Sequence, residues 1–203
     1  MLEEEYEKGR RHLPAHLRPV EEPEAPFSFS IRPATDADIP DIREIYNYYV
    51  TNSVVTFDEK QWTVAQWREK FAHLGKLGLP FIVAESPTGQ VLGYALVQPW
   101  AGKSAYRYTV EDSIYLGQAA AGKGLGRALL EALIDACREK GLREIVAVVS
   151  DKGAEASVAL HEKLGFVEVG RMGRVGFKFG RWLGTIYLQK SLKPAKKTRL
   201  FAR

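Results

Sequence analysis

Two stretches of this 203-residue chain carry chemistry by residue type and spacing. In the first, over about 107–116, Thr109, Glu111, Ser113 and Tyr115 alternate with Tyr108, Val110, Asp112, Ile114 and Leu116. This is the period-two pattern of a strand, so Glu111 is an acid embedded in a strand and a candidate proton acceptor. The second follows at once: Ala121-Gly122-Lys123-Gly124-Leu125-Gly126-Arg127, opening into a helical pattern. A strand that runs into glycines at the mouth of a helix leaves backbone N–H groups without partners, and the helix dipole adds about half a positive charge there. That is a phosphate cradle. It is not a Walker loop, because Arg127 stands where Lys-Ser/Thr would be needed, and it is not the dinucleotide fingerprint, whose third glycine falls at Leu129. The plain alternative is a helix start that uses small residues for packing.

The elements that position these residues are legible as patterns. Phe27 to Arg32 alternates like a strand, and Thr35-Asp36-Ala37-Asp38 supplies helix-start chemistry ahead of Ile39, Ile42, Ile45, Tyr46 and Tyr49. A second helix is predicted from Thr63, with Trp67, Phe71 and Leu74 as its apolar stripe. Phe81–Ala84 and Val91–Val97 flank a turn and read as a hairpin. After the glycine run, Leu125, Ala128, Leu129, Ala132, Leu133, Ala136 and Cys137 form an amphipathic helix closed by Gly141. Ile145 to Val149 reads as an interior strand, 156–164 as a helix ended by Gly165, and 166–171 and 186–192 as the last strands.

Composition narrows the class. The chain is 45% hydrophobic and 27% charged, ordinary for a globular protein, and its length suits one domain with flanking tails. The expected division is a mobile extension over 1–27 with a short helix before Pro14, a domain over 28–192 and a basic tail over 193–203. Of the net charge of +4, residues 1–30 contribute four basic and seven acidic side chains, while 193–203 adds five basic and none acidic. The excess therefore sits in a tail with one aromatic, Phe201, which reads as a solvated end rather than a nucleic-acid arm. No apolar run approaches a membrane span, and the start, Met1-Leu2-Glu3-Glu4-Glu5, is acidic where a signal peptide is basic. A single cysteine, Cys137, excludes an internal disulfide framework and fits a reducing cytosol. The four histidines, at 12, 16, 73 and 161, lack zinc-ligand spacing on one helix, so no metal is expected.

Several segments, in order, resemble one family. Ile31-Arg32-Pro33-Ala34, Ile45 to Val50, Thr56-Phe57, Ala105 to Tyr115, the 113–130 strand-glycine-helix unit, Leu160-His161-Glu162-Lys163-Leu164-Gly165-Phe166 and Gly176 to Trp182 are similar to the GCN5-related N-acetyltransferases (GNAT), and within them to the phosphinothricin N-acetyltransferase branch. The resemblance covers about 30–192. It implies an α+β, three-layer α/β/α fold whose mixed, mostly antiparallel sheet is splayed where acetyl-CoA lies. It also implies direct acetyl transfer to the amine of a small amino-acid-like substrate such as phosphinothricin or methionine sulfoximine, and a homodimer.

On that resemblance, Ile114, Tyr115 and Leu116 pair with the pantetheine, while Ala121, Gly122, Lys123, Gly124, Leu125, Gly126 and Arg127 meet the pyrophosphate, with Ala154 near the coenzyme. Glu111 is implied as base; its plain alternative is a structural acid paired with Arg107 or Lys103. His161 is implied as a proton relay or substrate-positioning group, against a satisfied core histidine. Lys103 and Arg107 are candidates for holding a substrate carboxylate or phosphinate, against a solvated strand edge. Tyr106, Tyr108 and Tyr115 are each candidate proton donors. The chain departs from the branch at three places: Ala121 replaces the Gln/Arg that opens the loop motif, Ala154 replaces Asn, and Gly184 replaces the Asp after Arg-Trp. The first two weaken side-chain contacts to the coenzyme and leave open a module that binds acetyl-CoA without turnover; within the fold, the alternative is an acetyltransferase for another small amine or a peptide N-terminus.

Overall fold

A computed structural model describes residues 27–192; the expected extension, its helix before Pro14 and the basic tail lie outside them. Seven strands form one sheet in the order β1-β2-β3-β4-β5-β7-β6. They are β1 (Ser30–Pro33), β2 (Phe81–Glu85), β3 (Val91–Pro99), β4 (Thr109–Leu116), β5 (Glu144–Ser150), β6 (Val167–Lys178) and β7 (Arg181–Ser191). Only β4 and β5 run parallel, so the sheet is mixed and mostly antiparallel. Helices α1 (Ile39–Asn52) and α2 (Val64–Lys76) cover one face, and α3 (Leu125–Glu139) and α4 (Glu155–Lys163) the other.

Local chemistry explains the helix borders. Thr63 caps α2 by accepting from the Gln66 N–H at 3.2 Å, and Gln66 reaches back to the Thr63 N–H at 2.9 Å, a reciprocal capping box. Trp67 and Leu74 are the buried part of the expected stripe. Pro40 sits in the first turn of α1, where a missing N–H costs nothing. Ahead of it, Arg32 of β1 grips Asp38 with both Nη atoms at 2.8 Å and Glu85 of β2 through Nε at 2.9 Å, fastening strand, neighbouring strand and helix start together. In α3, Leu125, Leu129, Leu130, Leu133, Ile134 and Cys137 are buried at helical spacing against the sheet.

Two borders differ from the sequence reading. The strand expected from 107 begins at Thr109, because Ser104–Tyr106 is a 3-10 turn; Arg107 is therefore a loop residue. The last two strands extend well beyond 171 and start well before 186. Two register shifts, at Glu168/Gly170 and Met172/Gly176, let the glycine-rich stretch of β6 stay paired with β7. The strands close on Phe179 and Gly180 at φ 52° and 72°, the backbone signs of a type I′ hairpin turn.

Candidate active site

The sheet opens at one point. β4 and β5 pair at Thr109↔Glu144, Val110↔Ile145 and Glu111↔Val146 and then part, so the edge of β4 from Asp112 to Leu116 has no strand partner on the β5 side. The expected coenzyme strand, Ile114 to Leu116, lines this opening. One of its groups is engaged, since the Tyr49 hydroxyl donates to the Leu116 carbonyl at 2.8 Å.

The glycine loop sits at the mouth of the same opening. Gly122 and Gly124 have φ of 75° and 82°, and a Cβ on either would meet no atom within 4 Å. These glycines serve backbone shape, leaving open space in front of the amides that begin α3, where no side chain caps the helix. Gly126 is different. A Cβ there would lie 3.4 Å from Leu116 Cδ1 and from Leu160 Cδ2, so this glycine lets α3 approach β4. Cradle and packing thus divide the run between them. Ala121, Lys123 and Arg127 are exposed, Leu125 is buried, and Arg127 pairs with Glu131 at 2.9 Å rather than reaching into the loop. Ala154 is the buried N-cap of α4 and offers no side-chain cap. An open strand edge beside left-handed glycines and uncapped amides fits an extended arm ending in a pyrophosphate.

Gly124→Val is expected to weaken acetyl-CoA binding roughly 5- to 30-fold, because a side chain in the left-handed region costs about 1–2 kcal/mol and would also fill the cradle. Ala121→Arg should gain only ~1 kcal/mol, as an exposed charge is screened. Calorimetric titration checks both; a valine variant that binds like the parent would mean the loop is only packing.

Glu111 is the last β4 residue paired with β5, half-buried on the face that α1 and α2 cover. Burial pushes its carboxyl up, and the neighbouring Asp112 adds to this, while Gln98 and Lys70 pull it partly back. Its surroundings do not contain the partners expected as its plain alternative. Lys103 and Arg107 are both exposed, and the Arg107 guanidinium lies 4.7 Å over the Tyr108 ring. Tyr106 and Tyr108 are exposed as well. Tyr115 shares the face of Glu111, in edge-on contact with Tyr46 at 5.2 Å, and burial pushes its phenol well up.

His161 is 2% exposed and turned away from Glu111. Its Nδ1 lies 2.7 Å from the Ser157 carbonyl, which only accepts, so Nδ1 carries a hydrogen; Nε2 lies 2.9 Å from Asp112 Oδ2. Asp112 and Glu111 are consecutive on β4 and point to opposite faces. The structure therefore joins His161 to Asp112 and not to the base. Burial alone would lower the His161 pKa, but the hydrogen bond and charge of Asp112, with the hydrogen bond to the Ser157 carbonyl, outweigh it and hold it raised.

Two groups near Glu111 escaped the sequence reading. Asp58 accepts from Tyr46 Oη and, at 2.7 Å, from Trp62 Nε1. Lys70, from α2, stands close enough to Glu111 and Asp58 for both to favour its charge. A cation one position outside the Trp67, Phe71, Leu74 stripe was the available signal. The third departure has a steric cause: a Cβ at Gly184 would fall 2.5 Å from the Met172 carbonyl oxygen, and the Gly184 N–H donates to Asp151 Oδ1 at 2.8 Å. Among the described residues no group of three or more His, Cys, Asp or Glu is arranged to hold a metal ion.

Comparison with known proteins gives the family. The model of the Acetyltransferase (GNAT) family matches residues 42–166, more than half of the chain. The chain belongs to the GNAT family. It is 40% identical over 169 residues to a phosphinothricin N-acetyltransferase of Alcaligenes faecalis, covering 83% of this chain and 85% of that protein. It is 41% identical over 170 residues to an L-methionine sulfoximine/L-methionine sulfone acetyltransferase of Pseudomonas paraeruginosa, covering 84% and 98%. A GNAT superfamily phosphinothricin acetyltransferase from Sinorhizobium meliloti, solved in complex with AcCoA, superimposes with a TM-score of 0.78 at 40% identity, over 83% of this chain and 94% of that one. As a GNAT member with this three-layer, splayed sheet, the protein is an acetyl-CoA-dependent N-acetyltransferase.

Proposed function

We propose that this GNAT enzyme acetylates the α-amine of a small amino-acid analogue of the phosphinothricin or methionine sulfoximine/sulfone type, with Glu111 as base. The observation that carries the assignment of the base is a half-buried carboxyl, held above its ordinary range, at the point where β4 leaves β5. Acetyl-CoA supplies the activated acetyl thioester. Glu111 takes the proton that the amine must lose before or as it attacks, directly or through one water. The amides at the start of α3 hold the pyrophosphate, and the open edge of β4 orients the arm. His161 we place as a positioning residue that ties α4 to β4, because both ring nitrogens are occupied and the ring is buried on the opposite face.

The test is thiol release from acetyl-CoA against a panel of amines. Turnover of phosphinothricin, methionine sulfoximine or methionine sulfone supports the substrate class; turnover confined to amines without an acid group rejects it. Coenzyme binding with no turnover on any amine favours a regulatory module.

We further propose a homodimer. The edge strand β6, its closing turn and its partner β7 expose Val167, Val169, Val175, Phe177, Phe179 and Trp182, an apolar surface that invites pairing with a second copy. Phe177→Glu is expected to shift the protein to monomer in sedimentation; a monomeric parent would reject the dimer. No described helix is long and apolar enough to cross a membrane. We place the enzyme in the cytoplasm, which suits its one cysteine: Cys137 is free, and burial pushes its thiol up to about 12.

A further inference from the structure

Beside Glu111, on the same side of the sheet, lies a cleft of about 490 Å³ lined by Trp62, Gln66, Glu69, Lys70, His73 and Gln98, among others. Gln98 joins the cleft to the base, because it stands opposite Glu111 in the β3–β4 pairing. The Lys70 ammonium lies 5.4 Å from the centroid of the Trp62 ring and 5.7 Å from that of Trp67. Cation–π attraction to two indoles holds it in place and leaves its hydrogens free. Among the described residues no carboxylate comes within ion-pair distance of it. Glu111 and Asp58 act on it only through space, so this half-buried cation, with no direct ion pair, has room for an arriving anion.

We propose that Lys70 is the receptor for the carboxylate of the amino-acid substrate, and so sets both the orientation of the amine toward Glu111 and the preference for acids over their amides. The inference rests on the substrate class proposed above. An α-amino acid carries its two charges on one carbon, and this side of the sheet offers a matching pair: a carboxylate in β4 for the ammonium and an ammonium in α2 for the carboxylate. The other groups facing Lys70 are Asp58 from the α1–α2 loop, Glu69 and His73 from its own helix, and Glu111. Asp58 already accepts two hydrogen bonds on one oxygen, Oδ2. The acidic members favour the substrate's ammonium and penalise a free dianion, which selects a zwitterion. Burial lowers the Lys70 pKa, and the charges of Glu111 and Asp58 work against that shift. On this proposal the carboxylate is assigned to Lys70 rather than to Lys103 and Arg107, which are exposed on the β3–β4 loop.

Lys70→Met keeps the long apolar stem against Trp62 and Trp67 and removes the charge. L-methionine sulfone and its carboxamide serve as probes, followed by steady-state kinetics and by calorimetric binding of each to the full-length protein. For the acid, KM and Kd are expected to rise about 10- to 100-fold, the worth of one charge-assisted hydrogen bond, with little change in kcat. The amide has no anion to lose and should move far less, and Lys70→Arg should recover much of the acid's affinity. An acid-to-amide ratio that survives Lys70→Met overturns the inference, as does an equal fall in kcat for both probes, which would make Lys70 a tuner of Glu111. Failure of the substrate class is a separate result: a parent enzyme that neither binds nor acetylates either probe rejects both readings, whereas acid-selective turnover that is indifferent to residue 70 rejects only this one.

Discussion

Glu111→Gln is expected to lower the single-turnover rate of acetyl transfer at neutral pH by roughly 100- to 10,000-fold, the range for a positioned general base, with acetyl-CoA affinity nearly unchanged. Glutamine preserves the size of the side chain and its contact with Gln98 but accepts no proton. The pH profile separates this role from a packing effect. Burial, then the charge of Asp112, raises the Glu111 pKa, so the base is ionised only above a pH higher than that of an ordinary carboxylate. The parent should lose kcat/KM as pH falls through that raised value, and the glutamine variant should lose this acidic limb altogether. A variant that turns over at the parental rate would end the assignment of Glu111 as base. A large loss that keeps the parental pH profile would make it a structural acid.

His161→Leu is expected to destabilise the fold by roughly 3–5 kcal/mol, read from the urea midpoint, because it strands the Asp112 carboxylate in the core. The second Asp112 oxygen, Oδ1, already lacks a partner, so nothing nearby is free to compensate. Asp112→Leu/His161→Leu should recover most of the loss, since an apolar pair removes the buried charge together with its need. The sign of the pH dependence follows from the raised His161 pKa. Its stabilisation is fully present below the ordinary histidine value of the unfolded chain and is lost as pH rises through the higher folded value. Parent and double variant should therefore converge in stability, or cross, toward alkaline pH. A His161→Leu variant as stable as the parent, but slow in acetyl transfer, would restore the proton-relay role.

Asp112 and His161 also stand at a mechanically special place. The strands part immediately after Glu111↔Val146, and the next residue of β4 bonds instead to the helix that follows β5. The hydrogen bond between side chains takes over where the backbone ladder ends. It joins β4 to α4, whose N-cap is the buried Ala154. Placing the pair there ties β4 to α4 while leaving the backbone edge of β4 from Asp112 onward without a strand partner on the β5 side.

How much of this was legible in the sequence depends on how local each cause is. The start of α2 followed from Thr63, the end of α3 from Gly141, and the strand character of β4 from its alternation, because capping, left-handed glycines and side-chain period act over a few residues. The same alternation placed Glu111 and Asp112 on opposite faces, and the glycine run pointed to a cradle. The sequence alone could not divide that run into Gly122 and Gly124, which shape the loop, and Gly126, which packs on Leu116 and Leu160.

What only the tertiary structure decided were meetings between residues far apart in the chain. His161 finds Asp112 at a separation of 49 residues, and Lys178 reaches the Thr56 carbonyl across 122. Lys70 arrives beside Glu111 because α2 packs on β2 and β3, where Trp67 meets Phe81 and Tyr94. Gly184 must be glycine because β6 and Asp151 crowd it from two sides. Arg107, which the alternation put in a strand, was moved into a loop by the turn at Ser104–Tyr106. A side chain's type and spacing state what it can do and which face it takes. Its protonation, exposure and partners are set by whichever distant element is folded against it, through desolvation and Coulomb forces that act over a few ångströms of space and have no fixed relation to distance along the chain.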